Sequence, residues 1–349
     1  MRLEKLKAYY YILLALILAA IFFYPAIISD KTFWLRDIHR WFYPMKYFLA
    51  TSLKNGNIPF WCPNYFCGSP FISDLQSGVF YPVSIVFALF PFPLSFNIYI
   101  ILHIVLGFCF FYLFIKGIGL SRESAFITSI SYCYGGYTIA TINTLNNLTT
   151  LIWLPAILWS FQKATTKGHK SGYFFTVLFL CMAILGGEPQ LFILTAGLFF
   201  LYGLTFVDDE TPGIGSRIKN AALILFLITS SVLLTMIQLG PAYMDYQLST
   251  RLGGMSFHEA SRFSLNFERL QHFLFPLRFS HTFTTDPASL SSFFPGNDKM
   301  PWLLTIYPGF MIVPTVFFGL FFGFSKRILF WLIIFCITCL LYTSPSPRD

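Results

Sequence analysis

Apolar runs of about 20 residues recur along this chain, each long enough to cross the roughly 30 Å hydrocarbon core of a bilayer. The first extends from about Ala8 to Ile28, behind Arg2, Lys5 and Lys7. Others fall near 94–115, 123–141, 148–162, 172–187, 190–206, 220–240, 303–324 and 328–342. The first run is longer than a signal-peptide core and ends in Phe22, Phe23, Tyr24 and Pro25, so it reads as an uncleaved span. Segment 80–92 is apolar but short, and Pro82, Pro91 and Pro93 interrupt its surroundings. That pattern suits a re-entrant or interfacial piece. The expected fold is an all-α polytopic membrane protein with about nine transmembrane helices.

Composition agrees, with 56% hydrophobic residues, 11% charged residues and 44 Phe. The net charge of +8 does not point to nucleic acid, because the aromatic residues lie in apolar runs and not beside a hydrated basic face. Charge placement predicts orientation. Segments on one side hold Arg2, Lys5, Lys7, Lys116, Arg122, Lys163, Lys167, Lys170, Arg217, Lys219, Lys326 and Arg327. The short turn 142–147 on the other side holds no Lys or Arg. The positive-inside rule then places the N-terminus in the cytoplasm, with long outer loops at 29–79 and 241–302.

The first outer loop carries most of the sequence-level chemistry. Trp34, Ile38, Trp41, Met45, Phe48 and Leu53 recur at near-helical spacing, with Arg36, His39, Arg40 and Lys46 elsewhere around the helix. This predicts an amphipathic helix in the membrane interface, kinked at Pro44. Asp37 lies close to the outer surface, where a carboxylate can act as a general base or position a metal. The plainer reading pairs it with Arg36 or Arg40 on a solvated face. Gly56, Pro59, Trp61, Gly68, Pro70, Asp74 and Tyr81–Pro82 mark an ordered, turn-rich continuation with an aromatic shelf.

Glu188 falls between two apolar runs in Gly186-Gly-Glu-Pro-Gln190, either as a costly intramembrane acid or in a hydrated external turn. The second outer loop holds Arg251, Arg262, Arg269 and Arg278, whose forked donors suit phosphate or lipid headgroups. The histidines lack zinc-hydrolase spacing, and Cys336-x-x-Cys339 lacks a second ligand pair, so no metal is assigned. The spacing of Cys62 and Cys67 permits a disulfide without demanding one. Asn147-Leu-Thr149 is a glycosylation sequon by pattern.

Taken in order, several of these residues resemble the YfhO family of bacterial membrane proteins. The series runs through Asp37, Tyr43–Pro44, Gly56, Pro59, Trp61, Gly68, Pro70 and Phe80-Tyr-Pro82. It continues through Gly187-Glu-Pro-Gln190, Gln238, Pro241, Ser249, Arg251, Ala260-Ser, Phe263-Ser and Phe275–Pro276. The resemblance covers about residues 9–325, and Glu188 stands where many members are expected to carry His. It implies a GT-C-type glycosyltransferase bundle in the cell membrane using a polyprenyl-phosphate-linked sugar on the outer face. The acceptor would be a cell-envelope glycan or a teichoic-acid-type polymer.

On that reading Asp37 is the catalytic base. Arg251, Arg262, Tyr43, Trp61, Asp74, Glu188 and Gln190 are expected to bind substrate, with membrane lipids as further partners. No cofactor is required, although a divalent metal would be compatible. The rival readings are a lipid-linked glycan transporter, which calls for charges along a central path, and a non-catalytic envelope assembly subunit. The domain expectation is one transmembrane unit over 1–341. The abrupt polar tail 342–349 is expected to be foreign or disordered, and the genuine protein to continue past Leu341.

Overall fold

A computed structural model describes residues 2–29, 31–65, 67–166, 168–206, 214–254, 256, 271, 273–275, 305–309 and 312–343. It is mostly helical. Two compact units divide the chain: Met1–Cys133 with Thr141–Ser249, and Tyr134–Ala140 with Thr250–Asp349.

The first unit opens with α1 (Arg2–Phe22) and the short α2 (Tyr24–Ile28), where Pro25 sits in the first turn. A π-helical turn, Ile38–Phe42, runs directly into α3 (Tyr43–Lys54). The kink expected at Pro44 falls where the π-helical turn passes into α3. Pro44 occupies the first turn of α3, and the wider turn before it accommodates a ring that has no N–H to donate. A two-residue hairpin pairs β1 (Trp61–Cys62) with β2 (Ser69–Pro70). Cys62 and Cys67 are free thiols, so the permitted disulfide is not formed.

Segment 80–92 folds as a 3-10 turn, Pro82–Ile85, and the single turn α4 (Val86–Leu89). It leads into α5 (Leu94–Gly117). Next come α6 (Arg122–Tyr134), α7 (Gly136–Ala140), which belongs to the second unit, α8 (Leu145–Leu151) and α9 (Leu154–Thr166). The apolar runs expected near 123–141 and 148–162 are therefore each divided between two helices. Then come α10 (Ser171–Leu185), α11 (Pro189–Phe206), α12 (Ile214–Leu234) and α13 (Met236–Gln247). In the second unit, α14 (Ile312–Phe322) and α15 (Lys326–Thr343) follow. Residues 344–349 lie outside the described residues.

Among the described residues, three helices are long and apolar enough to cross a membrane: α5, α11 and α12. Shorter apolar helices cover Tyr10–Phe22, Ser171–Leu185 and Ile312–Phe322.

In the first unit, α9 packs against α5 and α10, and α12 packs against α10 and α11. Small residues permit the closest approach. A Cβ on Gly172 would lie 2.5 Å from the Ser160 carbonyl oxygen, so glycine lets α10 meet the α9 backbone. The hydroxyls of Ser160 and Thr176 share a 2.9 Å hydrogen bond at this contact. Phe161 and Phe199 pack edge to face beside α9, and Phe108 is buried against Phe126.

A buried polar chain ties α5 to the 80–92 segment and α8–α9. The His103 Nδ1–H faces the Tyr99 carbonyl oxygen at 2.6 Å, which can only accept. Nε2 therefore accepts from the Tyr81 hydroxyl at 2.7 Å, and Tyr81 in turn accepts from the Trp153 indole at 2.9 Å. Every polar atom in this series has a partner, which makes burial tolerable.

Candidate functional site: the Asp74 turn and the helix that begins at Asp37

The turn over 72–78 gathers distant parts of the first unit. Asp74 caps a 3-10 turn, Leu75–Ser77, and accepts a hydrogen bond from the Gln76 backbone N–H at 2.8 Å. Gly78 follows at φ 70°, a left-handed position that suits glycine. The buried Lys46 of α3 donates from Nζ to the carbonyl oxygens of Gln76 at 2.9 Å and Ser77 at 2.8 Å. A Cβ on Gly78 would approach that ammonium to 2.9 Å, so the glycine also makes room for it.

One turn earlier on the same helix, the Trp41 indole N–H donates to Gln76 Oε1 at 2.8 Å, and Trp41 stacks on Tyr65. From α13, the buried Gln238 amide donates to the Ile72 carbonyl oxygen at 2.6 Å.

The Gly186–Glu188 turn, between α10 and α11, rests on the same place. Gly187 has φ 93°, and a Cβ there would sit 2.5 Å from the Leu75 carbonyl oxygen. Glu188 is half-buried and accepts a short hydrogen bond from the Asn146 side chain. Thr149, one helical turn from Asn146, donates to the Gly186 carbonyl oxygen at 2.6 Å. The segment 142–147, expected as a short outer turn, is almost wholly buried within the protein. Within it the Thr144 hydroxyl donates to the Thr141 carbonyl oxygen at 3.5 Å, and Asn146 donates to the Glu188 carboxylate. Thr149 of the sequon is buried with its hydroxyl engaged, which leaves it no free surface role.

Electrostatics follow from this burial. Desolvation pushes the Lys46 amine down to about 7, partly opposed by the charge of Asp74. Burial raises the Asp74 carboxyl, while the Gln76 N–H and Lys46 act against the rise and Asp245 adds to it. Burial also raises Glu188, opposed by the Gln190 backbone N–H and by Asn146.

The structure sorts the sequence-predicted residues. Asp74 and Glu188 sit at one backbone contact, since the Gly187 turn seats on Leu75 and Gln76. Gln190 contributes its backbone to Glu188, and its side chain is exposed. Asp37 is half-buried at the N-cap of the π-helical turn, and its side chain makes no capping hydrogen bond. It precedes Trp41 by four residues, close to one helical turn, so the two share a face.

Tyr43 packs edge-on against Phe92 and Phe96, and burial raises its hydroxyl pKa. Those contacts are packing contacts. Trp61 is exposed on the hairpin, with its ring over Gly68. The Arg251 backbone belongs to a 3-10 turn, Thr250–Gly253, but its side chain and all of Arg262 lie outside the described residues. Among the described residues, no group of three His, Cys, Asp or Glu is gathered to hold a metal ion.

The sequence pattern sets Lys46 apart from the apolar positions of an amphipathic helix, yet it is buried, with its ammonium against the 76–78 backbone. Asn146 carried no signal beyond polarity in a short segment. Gln238 stood in an ordered motif with no role attached. Searches against family models, curated proteins and solved structures return no match to this chain.

Proposed function

We propose that the chain belongs to a GT-C-type, YfhO-like glycosyltransferase of the bacterial cell membrane, with about nine spans and a cytoplasmic N-terminus. It moves a sugar from a polyprenyl-phosphate donor to a cell-envelope acceptor, a glycan or teichoic-acid-type polymer, at the outer face. One observation supports this reading above others. Two carboxylate-bearing turns, at Asp74 and Glu188, meet at one backbone contact, and the helix that begins at Asp37 is tied to it through Trp41.

In the proposed step Asp37 takes the proton from the acceptor hydroxyl. The acceptor oxygen forms a bond to the anomeric carbon as the bond to the phosphate oxygen breaks, with inversion. The lipid phosphate leaves with the electron pair, and Arg251 or Arg262 stabilises its charge. Asp74 and Glu188 offer acceptors to sugar hydroxyls. A divalent metal is compatible with this step and not required by it.

The test uses membranes holding the full-length protein, an undecaprenyl-phosphate-linked radiolabelled sugar and an envelope acceptor fraction. The proposal expects label to move covalently to the acceptor. Label that crosses the bilayer with its phosphate bond intact supports a transporter. Neither outcome, in membranes where the protein is abundant, supports an assembly subunit.

A further inference from the structure

The residues just before α3 contrast with the closed turn over 72–78. Arg36 adopts φ 51°, a left-handed conformation that costs a long side chain free energy and that glycine or asparagine would adopt more readily. Its guanidinium is partly desolvated beside Asp37. Three residues on, the His39 Nδ1 is buried and finds no hydrogen-bond partner in the protein. An orphaned imidazole nitrogen of this kind calls for an explanation, and a ligand outside the protein is one. The Trp34 ring lies 5.0 Å from the His39 ring and is 58% exposed, so it forms an apolar cover open on one side. Lys31 and Arg40 are exposed nearby in sequence, and the first apolar run ends at Ile28.

We infer that Arg36 and His39, the latter covered by Trp34, bind the phosphate group of a membrane amphiphile. The guanidinium supplies forked charge-assisted donors, the imidazole Nδ1 supplies one more when protonated there, and the indole lies against the first carbons of the chain. Asp37 sets a limit on the site: its negative charge requires that the phosphate approach from the Arg36 and His39 side. The inference rests on the proposed transfer only for which phosphate is bound, that of the donor. It also gives the donor a seat among the described residues, whereas Arg251 and Arg262 do not.

Binding can be read without turnover. The full chain in phosphatidylcholine nanodiscs is titrated calorimetrically with farnesyl phosphate, farnesol and inorganic phosphate. Farnesyl phosphate should bind, and farnesol should bind at least tenfold more weakly. Arg36→Gly should weaken farnesyl phosphate about tenfold or more, the loss expected for one charge-assisted contact. Arg36→Lys, which keeps the charge but not the forked donors, should recover part of the affinity lost in Arg36→Gly. A residue kept only for structure would not show recovery of binding by charge alone. His39→Phe should also weaken binding, while the exposed neighbour Arg40→Gln should change it by less than about threefold.

Competition by inorganic phosphate supports recognition of the headgroup. Equal competition by phosphatidylglycerol keeps the phosphate site but assigns it to bulk lipid, which removes its support for the transfer reading. Unchanged affinity in Arg36→Gly, an equal loss in Arg40→Gln, or farnesol binding as well as its phosphate would overturn the inference.

Discussion

Two polar regions of the first long loop, some 40 residues apart in sequence, are built in opposite ways. In the turn over 72–78 the groups are occupied. Asp74 caps a backbone N–H, Lys46 bridges two carbonyls, Gln76 receives Trp41, and Gln238 reaches Ile72. Between residues 34 and 40 the backbone is strained at Arg36, an imidazole nitrogen is unpartnered, and Trp34 and Arg40 are exposed. A closed polar network specifies geometry, because any loosening leaves a buried group unsatisfied. An open one retains capacity for something that is not protein. The comparison therefore assigns the Asp74 turn to holding the sugar in place and the helix start at Asp37 to the chemical step.

The largest expected effect falls on the open region. Asp37→Asn keeps size and polarity but removes basicity, and should lower transfer by roughly 10²-fold or more. Its membrane abundance should stay near that of the parent protein, because a partly exposed loop substitution seldom costs much stability.

Substitution at Gly187 should damage the closed region most. Alanine there meets both a left-handed φ of 93° and the Leu75 carbonyl oxygen at 2.5 Å. A loss of about 2–4 kcal/mol is expected, read as a lowered thermal midpoint in detergent. Lys46→Ala comes next. It leaves two buried carbonyls without their donor and opens a void beside Gly78, for a cost of about 2 kcal/mol. If this variant melted like the parent, the turn would not depend on the ammonium.

A smaller effect is the pH dependence that Lys46 imposes. Its folded value of about 7 lies below the ordinary 10.5. Between those values the folded protein binds fewer protons at this site than the unfolded chain, so stability rises with pH across that window. Below it, the full cost of burying an ammonium is present. Asp74 and Glu188 act in the opposite sense and at acidic pH. Their carboxyl values are raised by burial, so stability from them is greatest in acid and falls as pH climbs through the raised values. Thermal midpoints from pH 6 to 9 should therefore rise in the parent protein. Lys46→Met should flatten that rise while keeping the acid limb.

Some of this arrangement was legible in the sequence, and the reason is locality. Helix α5 was expected at 94–115 because an uninterrupted apolar run carries its own signal, and it spans Leu94–Gly117. The Gly186–Glu188 turn was legible only in part: the sequence left Glu188 between an intramembrane acid and a hydrated turn, and it lies half-buried in a turn between α10 and α11. Lys46 was not legible. On its own helix it looks like any solvated lysine, and its burial comes from a turn 30 residues later folding over it. The burial of segment 142–147 was not legible for a similar reason. It comes from contact with the 186–188 turn in another part of the chain, which Asn146 and the following Thr149 reach. Asp37 was singled out by position and resemblance. The strain at Arg36 beside it is a backbone property that no residue type announces.

The most direct measurement compares Asp37→Asn with Lys46→Met, recording transfer per folded molecule and thermal midpoint on the same preparations. The account predicts a crossed result. Asp37→Asn should lose transfer by about 10²-fold with its midpoint unchanged. Lys46→Met should shift its midpoint while each folded molecule keeps most of its transfer. Normal transfer per folded molecule in Asp37→Asn, with the loss appearing in Lys46→Met instead, would contradict the division of labour and move the chemistry to the Asp74 turn.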